Sequence, residues 1–379
     1  MDNLLNLLYF IEEEEILLNE NADSTTDIAQ IFQGIYLNKK VLQYFIKDPE
    51  IIEKETLLRI KYVDSYHLPL LGYSINSNSS LGEGFVFELG LNTVSLNTIL
   101  TKNELSYDNK LGIISELIAL YEFENSRNLF FQSLTINDIY LSISKGNNNN
   151  TSNKLSVLKF PLSINNYIDS LEKEKFLNLP PEIIRKNKKK LSEEDINSKT
   201  EAWNLGLLIF EILEGKHFIL SEIEKHNEKS SEKSNEKVND DKLSKQKISD
   251  YILKLANTTI IQKINSLSYN QYLKNLLKKL LKVEQKQRYC TKVIMQDFQK
   301  NFGIGNNNFS SINSVHSNKT VNGKSMNLNT FTGIINTTPC NNNNHGNNNF
   351  EFNDNCNYCD NCNSRNSTPE KESKKFIKT

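Results

Sequence analysis

The sequence predicts an α+β chain, with a strand-rich first part, a helix-rich second part and a polar tail that lacks the means to fold alone. Three observations predict it. GIYLNKKVLQYFIK (34–47) and GFVFEL (84–89) carry strand patterns early in the chain. From Tyr107 onward, apolar residues recur at helical spacing. After about Gly303 the aliphatic residues nearly vanish, and stretches such as CNNNNHGNNNFEFNDN take over. A hydrophobic content of 37% is low for a wholly folded chain of 379 residues, as an unfolded segment requires.

The elements follow in chain order. LLNLLYFIEEEEILL (4–18) predicts a helical extension over 1–25 packed on the strand-rich part; an amphipathic helix that binds a partner is the competing reading. Residues 34–47 alternate about an Asn-Lys-Lys turn, as in a β-hairpin. DPEIIEKETLLRIKYV (48–63) places Pro49 at a helix start and Ile51, Ile52, Leu57, Leu58 and Ile60 along one stripe. GFVFEL is a short apolar strand. LSYDNKLGIISELIALYEF (105–123) spaces Leu111, Ile114, Leu117, Ile118 and Tyr121 helically, and AWNLGLLIFEIL (202–213) is apolar nearly all round, so it is a core helix. Two polar inserts, about 145–154 and 224–247, read as solvated loops, and 303–379 as an Asn-rich disordered tail.

Charge and cysteine usage narrow the function classes. A net charge of −1 carries no basic excess for a nucleic-acid surface. No apolar run is long enough to span a membrane, and the opening segment has an acidic flank where a secretory signal carries a basic one. An intracellular, cytoplasmic location is expected. The five cysteines do not make a disulfide framework. Cys356, Cys359 and Cys362, with Cys340 and His345 upstream, have zinc-ligand types but no second Cys-x-x-Cys pair, so an incidental low-complexity cluster is the plainer reading.

Three blocks in the second part carry a family resemblance. Leu179-Pro180-Pro181-Glu182 is followed by Lys199-Thr-Glu201-Ala-Trp203-Asn-Leu-Gly206, and later by the helix from Tyr272 to Arg288. Together, in this order, they resemble the Ala-Pro-Glu segment, the Asp-Val-Trp-Ser-Leu-Gly helix and the closing helix of protein kinases. The resemblance covers about 26–302. It implies a two-lobed protein-kinase-like fold, with a small strand-rich lobe and a larger helical one. It also implies a buried ion pair between Glu182 and Arg288, with Glu201 in place of the usual Asp and Trp203 and Gly206 as architectural positions.

The catalytic positions implied by the same resemblance are altered. Phosphoryl transfer by kinases needs a glycine-rich loop, a Lys, a base and metal ligands. Ser24, Thr26 and Ala29 stand at the glycine positions, and Tyr44 stands where the phosphate-binding Lys belongs. Lys47, three residues on, points to the other strand face. Glu55, or Glu53, takes the place of the Lys partner. Phe131-Gln132-Ser133 replaces His-Arg-Asp, and a serine lacks the carboxylate base. Asp138 replaces the metal-binding Asn; it could ligate a cation through oxygen, or be a plain surface-loop aspartate. Lys159-Phe160-Pro161 replaces Asp-Phe-Gly, putting an ammonium where Mg²⁺ is held. No shift of register rescues the site, since Asp169 has no Phe-Gly after it.

The expectation is therefore an inactive kinase-like protein with no catalytic residues, cofactor or metal. It would work as a scaffold or allosteric partner of other proteins, with ATP binding in doubt. The alternative is an atypical serine/threonine kinase, or a Mg-independent nucleotide-binding protein that uses Lys159.

Overall fold

The computed structural model describes residues 10–12, 16–18, 24–25, 29–46, 66–76, 82–90, 92–102, 105–131, 133–145, 151–158, 176–186, 196–231 and 244–302. Strands dominate up to residue 95 and helices dominate after 175, so the α+β division into a sheet-rich first part and a helical second part holds. The first sheet contains β1 (Ile16–Leu18), β2 (Ser24–Thr25), β3 (Ala29–Tyr36), β4 (Lys39–Ile46), β5 (Leu70–Asn76) and β6 (Gly82–Leu89). Its order is β1-β3-β4-β6-β5, all antiparallel, with β2 sharing the outer edge of β3 with β1.

Both faces of β4 are covered. Leu42, Tyr44 and Ile46 point to one face and pack with Ile31, Phe85 and Phe87, while Val41 points to the other and packs with Ile11, Ile16, Tyr36 and Val86. This is the period-two logic of a strand applied to a central position with apolar residues on each side. The β3–β4 turn is Leu37-Asn38, both with positive φ (47° and 61°), a two-residue turn whose twist matches the strands. The turn thus falls one residue earlier than the expected Asn-Lys-Lys: Lys39 and Lys40 already belong to β4, where Lys39 donates to Glu88 at 2.9 Å.

A second sheet, β7 (Thr93–Ser95), β8 (Ile139–Lys145) and β9 (Thr151–Val157), is antiparallel in the order β7-β8-β9. The helices are α1 (Leu96–Thr101), α2 (Tyr107–Ser126), α3 (Pro181–Lys186), α4 (Ser198–Glu214), α5 (Phe218–Ser231), α6 (Lys245–Lys254), α7 (Asn257–Asn265), α8 (Gln271–Leu280) and α9 (Thr291–Phe302). Polar residues start many of them. The side chains of Ser95, Ser106, Asn197, Ser244 and Asn270 accept hydrogen bonds from first-turn amides of α1, α2, α4, α6 and α8. Helix α4 buries nearly every residue, as its all-round apolarity predicts, and it ends at Gly215, whose φ of 67° suits a residue without Cβ. Gly206 lets α8 approach: a Cβ there would come within 2.8 Å of the Leu281 side chain.

Four further expectations change. The first 25 residues were read as helical, but where described they are extended: Phe10 bridges Tyr73, and Ile16–Leu18 and Ser24–Thr25 are strands. In a helix Glu12 and Glu15, three residues apart, would repel, and Ile16 buried beside exposed Leu17 is a strand alternation. The insert at 145–154 is narrower, because β8 runs to Lys145 and β9 starts at Thr151; pairing of backbones does not need apolar side chains. The insert at 224–247 is also narrower. Helix α5 continues to Ser231 and α6 begins at Lys245, since Glu and Lys are good helix formers and Glu222 binds both Lys225 and Lys263. Asp138, read as a surface-loop aspartate, is buried. The helix expected at 48–63 and the tail at 303–379 lie outside the described residues. Among the described residues no helix is long and apolar enough to cross a membrane.

Candidate functional site

The two sheets meet at the face of β4 that carries Tyr44. Backbone bonds join them: Leu68 N–H donates to Val157 O at 3.0 Å, and Val157 N–H donates to Tyr66 O at 2.7 Å. Tyr44 is 3% exposed and belongs to one apolar cluster with Phe85, Leu68 and Tyr73 of the first sheet region and Tyr140 and Leu158 of the second. Rings and aliphatic side chains thus fill the space between the sheets next to Tyr44. On the strand expected to carry the glycine positions, Ser24 lies in β2 and Ala29 opens β3; Thr26 is outside the described residues, as are Lys47, Glu53, Glu55, Gln132, Lys159, Phe160, Pro161 and Asp169.

A loop from Phe131 to Asp138 follows α2 and is held from below by α4. The Glu201 carboxylate, wholly buried, accepts from Phe131 N–H at 2.9 Å. Three residues along the same helix, Asn204 brackets the next peptide: its Oδ1 accepts from Leu134 N–H at 3.2 Å and its Nδ2 donates to Leu134 O at 3.0 Å. Tyr121 of α2 donates to the same Oδ1. Burial, reinforced by the Glu201 and Asp138 carboxylates, holds the Tyr121 hydroxyl well above its ordinary pKa, so it remains a donor. Ser133 is buried, and its N–H donates to Phe131 O at 2.6 Å.

Asp138 has a structural task. Its Oδ2 accepts from Thr135 N–H at 3.1 Å and from Thr135 Oγ1 at 2.9 Å, closing the single turn Ile136–Asp138 ahead of β8. Two short bonds to one carboxylate oxygen orient it as a cap. Among the described residues, no group of three or more His, Cys, Asp or Glu side chains is arranged to hold a metal ion. The cysteines and histidine of the tail lie outside the described residues.

A second centre lies at Arg288, which is 1% exposed. Its Nη1 and Nη2 donate to the two Glu182 oxygens at 2.6 and 2.7 Å, a bidentate pair. The remaining donors are used as well: Nε to Lys282 O at 2.6 Å, Nη1 to Lys199 O at 3.1 Å and Nη2 to Val283 O at 3.1 Å. The guanidinium lies 5.1 Å from the Trp203 ring centroid. One side chain thereby ties the start of α3, the start of α4 and the segment after α8.

Sequence reasoning brought together Glu182, Arg288, Glu201, Trp203 and Gly206, and all five sit in this framework. It missed Asn204 and Tyr121. The available signal was an asparagine inside an otherwise apolar helix, since a buried amide must find partners. No model of a known protein family matches the chain, and no curated protein is significantly similar to it.

Proposed function

We propose that the protein is a degenerate member of the protein kinase superfamily that acts by binding other proteins and does not transfer phosphate. The observation that carries the reading is the Tyr44 cluster: the position that the family resemblance assigns to the phosphate-binding Lys is a buried aromatic, packed against Phe85, Tyr140 and Leu158. Supporting it are the sequence order of strands then helices, the bidentate Glu182–Arg288 pair and the Glu201 contact to the loop backbone. These are what a kinase scaffold would use for architecture.

At the loop itself, Ser133 replaces the catalytic Asp of the family pattern. Loss of a general base costs roughly 10²–10⁴ in rate, and its peptide is anchored in a hydrogen-bonded turn. Asp138, a carboxylate in the same loop, is engaged as a cap. The reading therefore expects no phosphoryl transfer, a reaction that depends on positioning and on charge stabilisation. The test is transfer of labelled γ-phosphate from ATP, with Mg²⁺ or Mn²⁺, to generic acceptor peptides and to the chain itself. The expected result is no transfer above that of heat-denatured protein. Transfer that survives repurification and is abolished by Asp138→Asn would overturn the proposal.

A further inference from the structure

The segment ahead of β2 is held on the first sheet at two separated places. At one, Phe10 bridges Tyr73 of β5, Ile11 N–H donates to Tyr73 O at 2.9 Å, and the Phe10 and Tyr73 rings meet edge to face with centroids 5.3 Å apart. At the other, Ile16–Leu18 pairs with residues 34–36 of β3. β5 and β1 stand at opposite ends of the strand order, yet Ile16 follows Ile11 by five residues. Both isoleucines are buried in one cluster with Tyr36, Val41 and Val86, on the face of the sheet opposite Tyr44. Residues 10–18 thus strap that face, anchored on each side of residues 13–15, which lie outside the described ones.

β3 is shaped to receive the strap. A Cβ at Gly34 would come within 2.7 Å of Leu17 O and 2.9 Å of Leu18 Cδ2, so the bare backbone there admits the strap. The attachment is nevertheless slight. β3 and β4 pair along their whole length, from Ala29↔Ile46 to Tyr36↔Lys39, whereas among the described residues the strap pairs over three residues at one end and through an isolated bridge at the other. Phe10 and Leu17 are 44% and 71% exposed. The opposite face, with Leu42, Tyr44, Phe85 and Phe87, packs without any strap residue. The strap can therefore leave while β3, β4 and β6 keep their pairing and one of their two apolar clusters.

We infer that residues 10–18 are a detachable strap seated in cis on a docking groove, and that an extended segment of the same pattern, presented by a protein partner, takes its place. The occupant shows the chemistry that a competitor must carry: an apolar residue, a short acidic stretch such as 12–15, in which Glu12 is exposed, and an apolar strand whose backbone lies against Gly34. Main-chain pairing to β3 would supply affinity, and the Ile11 and Ile16 positions, buried against Val41 and Val86, would supply selectivity, as in other cases of strand addition. The inference stands on the packing of the first sheet and not on the family resemblance; it adds a surface and a partner chemistry to the binding-protein reading.

The experiment uses the full chain. Hydrogen exchange read by mass spectrometry is expected to show 10–18 opening about a hundredfold or more often than 41–46 in the parent, a comparison that needs no variant. A fluorescein-labelled peptide with the sequence of residues 8–20 is then titrated by anisotropy. I11E/I16E, whose own strap cannot seat, is expected to bind it about tenfold or more tighter than the parent, whose groove is filled. Adding G34A is expected to remove that gain. Circular dichroism and unfolding midpoints verify folding; if I11E/I16E does not fold, I11S/I16S replaces it, with a gain of about threefold or more. Three results would overturn the inference: exchange of 10–18 no faster than that of 41–46, a peptide held no more tightly by the folded variant than by the parent, or a gain that survives G34A. Any of these leaves the phosphate-transfer test untouched, so the two readings fail separately.

Discussion

Around Arg288 every donor of a buried cation is matched by an oxygen, whereas the cluster described around Tyr44 is built of rings and aliphatic groups. Both regions are buried and both lie at junctions between chain segments. They differ in what kind of error each tolerates. A bidentate ion pair in a buried place is useful only while complete, because removing one partner strands the other charge. An apolar cluster tolerates changes of shape but not the arrival of charge. The first region behaves as architecture. The second behaves as an apolar junction between two sheets, and the proposed absence of phosphoryl transfer rests on that character.

The contrast can be broken by substitutions on either side. Arg288→Ala should cost about 3–5 kcal/mol in denaturant unfolding, the usual loss when one member of a buried pair is removed; Arg288→Lys, which keeps charge but not the fork, should lose roughly half as much. A loss below about 1 kcal/mol for the alanine variant would remove Arg288 as the organising centre. Tyr44→Lys should cost roughly 4 kcal/mol at pH 7, the free energy of holding a lysine neutral in an apolar site. Because the buried lysine has a depressed pKa, the unfolded chain binds more protons, and the variant should regain stability as pH rises toward 10. A Tyr44→Lys chain as stable as the parent would show a cleft with room and polarity for a cation.

His217 supplies a pH test of the helical part alone. It is buried between α4 and α5, its Nε2 lies 3.3 Å from Asn178 Oδ1, and burial pushes its pKa down to about 4 from 6.5. The unfolded chain therefore takes up a proton first. The stabilisation is complete above pH 6.5 and is lost as pH falls toward 4, on the order of 3 kcal/mol in all. Unfolding midpoints of the parent should fall over that window, and His217→Gln should flatten the slope. Smaller still, Gly206→Ala should cost about 1–3 kcal/mol through its clash with Leu281. Asp138→Ala should cost about 0.5–2 kcal/mol as a lost cap, with no change on adding Mg²⁺. A Mg²⁺-dependent shift in the parent that Asp138→Ala abolishes would make it a ligand.

Much of the framework was legible because its signals are local or are paired blocks. An all-round apolar run of helical length predicts α4, the alternation in 34–46 predicts a hairpin, and Glu182 with Arg288 are recognisable by the motifs around them. The misses share a physical reason: each depended on what lies opposite in space. Ile16–Leu18 forms a strand because β3 offers an edge, and the apolar run alone fits either period. Leu37 occupies a left-handed turn position usually filled by Asn or Gly, which no propensity would suggest. Asp138 is buried because Thr135 supplies its donors, and Asn204 matters because a loop seventy residues earlier lies against it. At the site, residue types and the family resemblance led to the expectation of an inactive kinase; only the packing shows that Tyr140 and Leu158 join Tyr44 in one cluster.

The most direct test of the proposed reading is thermal unfolding of the full chain with ATP, in the presence and absence of Mg²⁺. A ligand at 100 times its dissociation constant adds about 2.7 kcal/mol to the native state, a shift of several degrees for a domain of this size. The account predicts coincident curves with and without nucleotide. A stabilisation by ATP would contradict a cleft filled by the Tyr44 cluster, and one that requires Mg²⁺ would return the protein to the class of candidate enzymes.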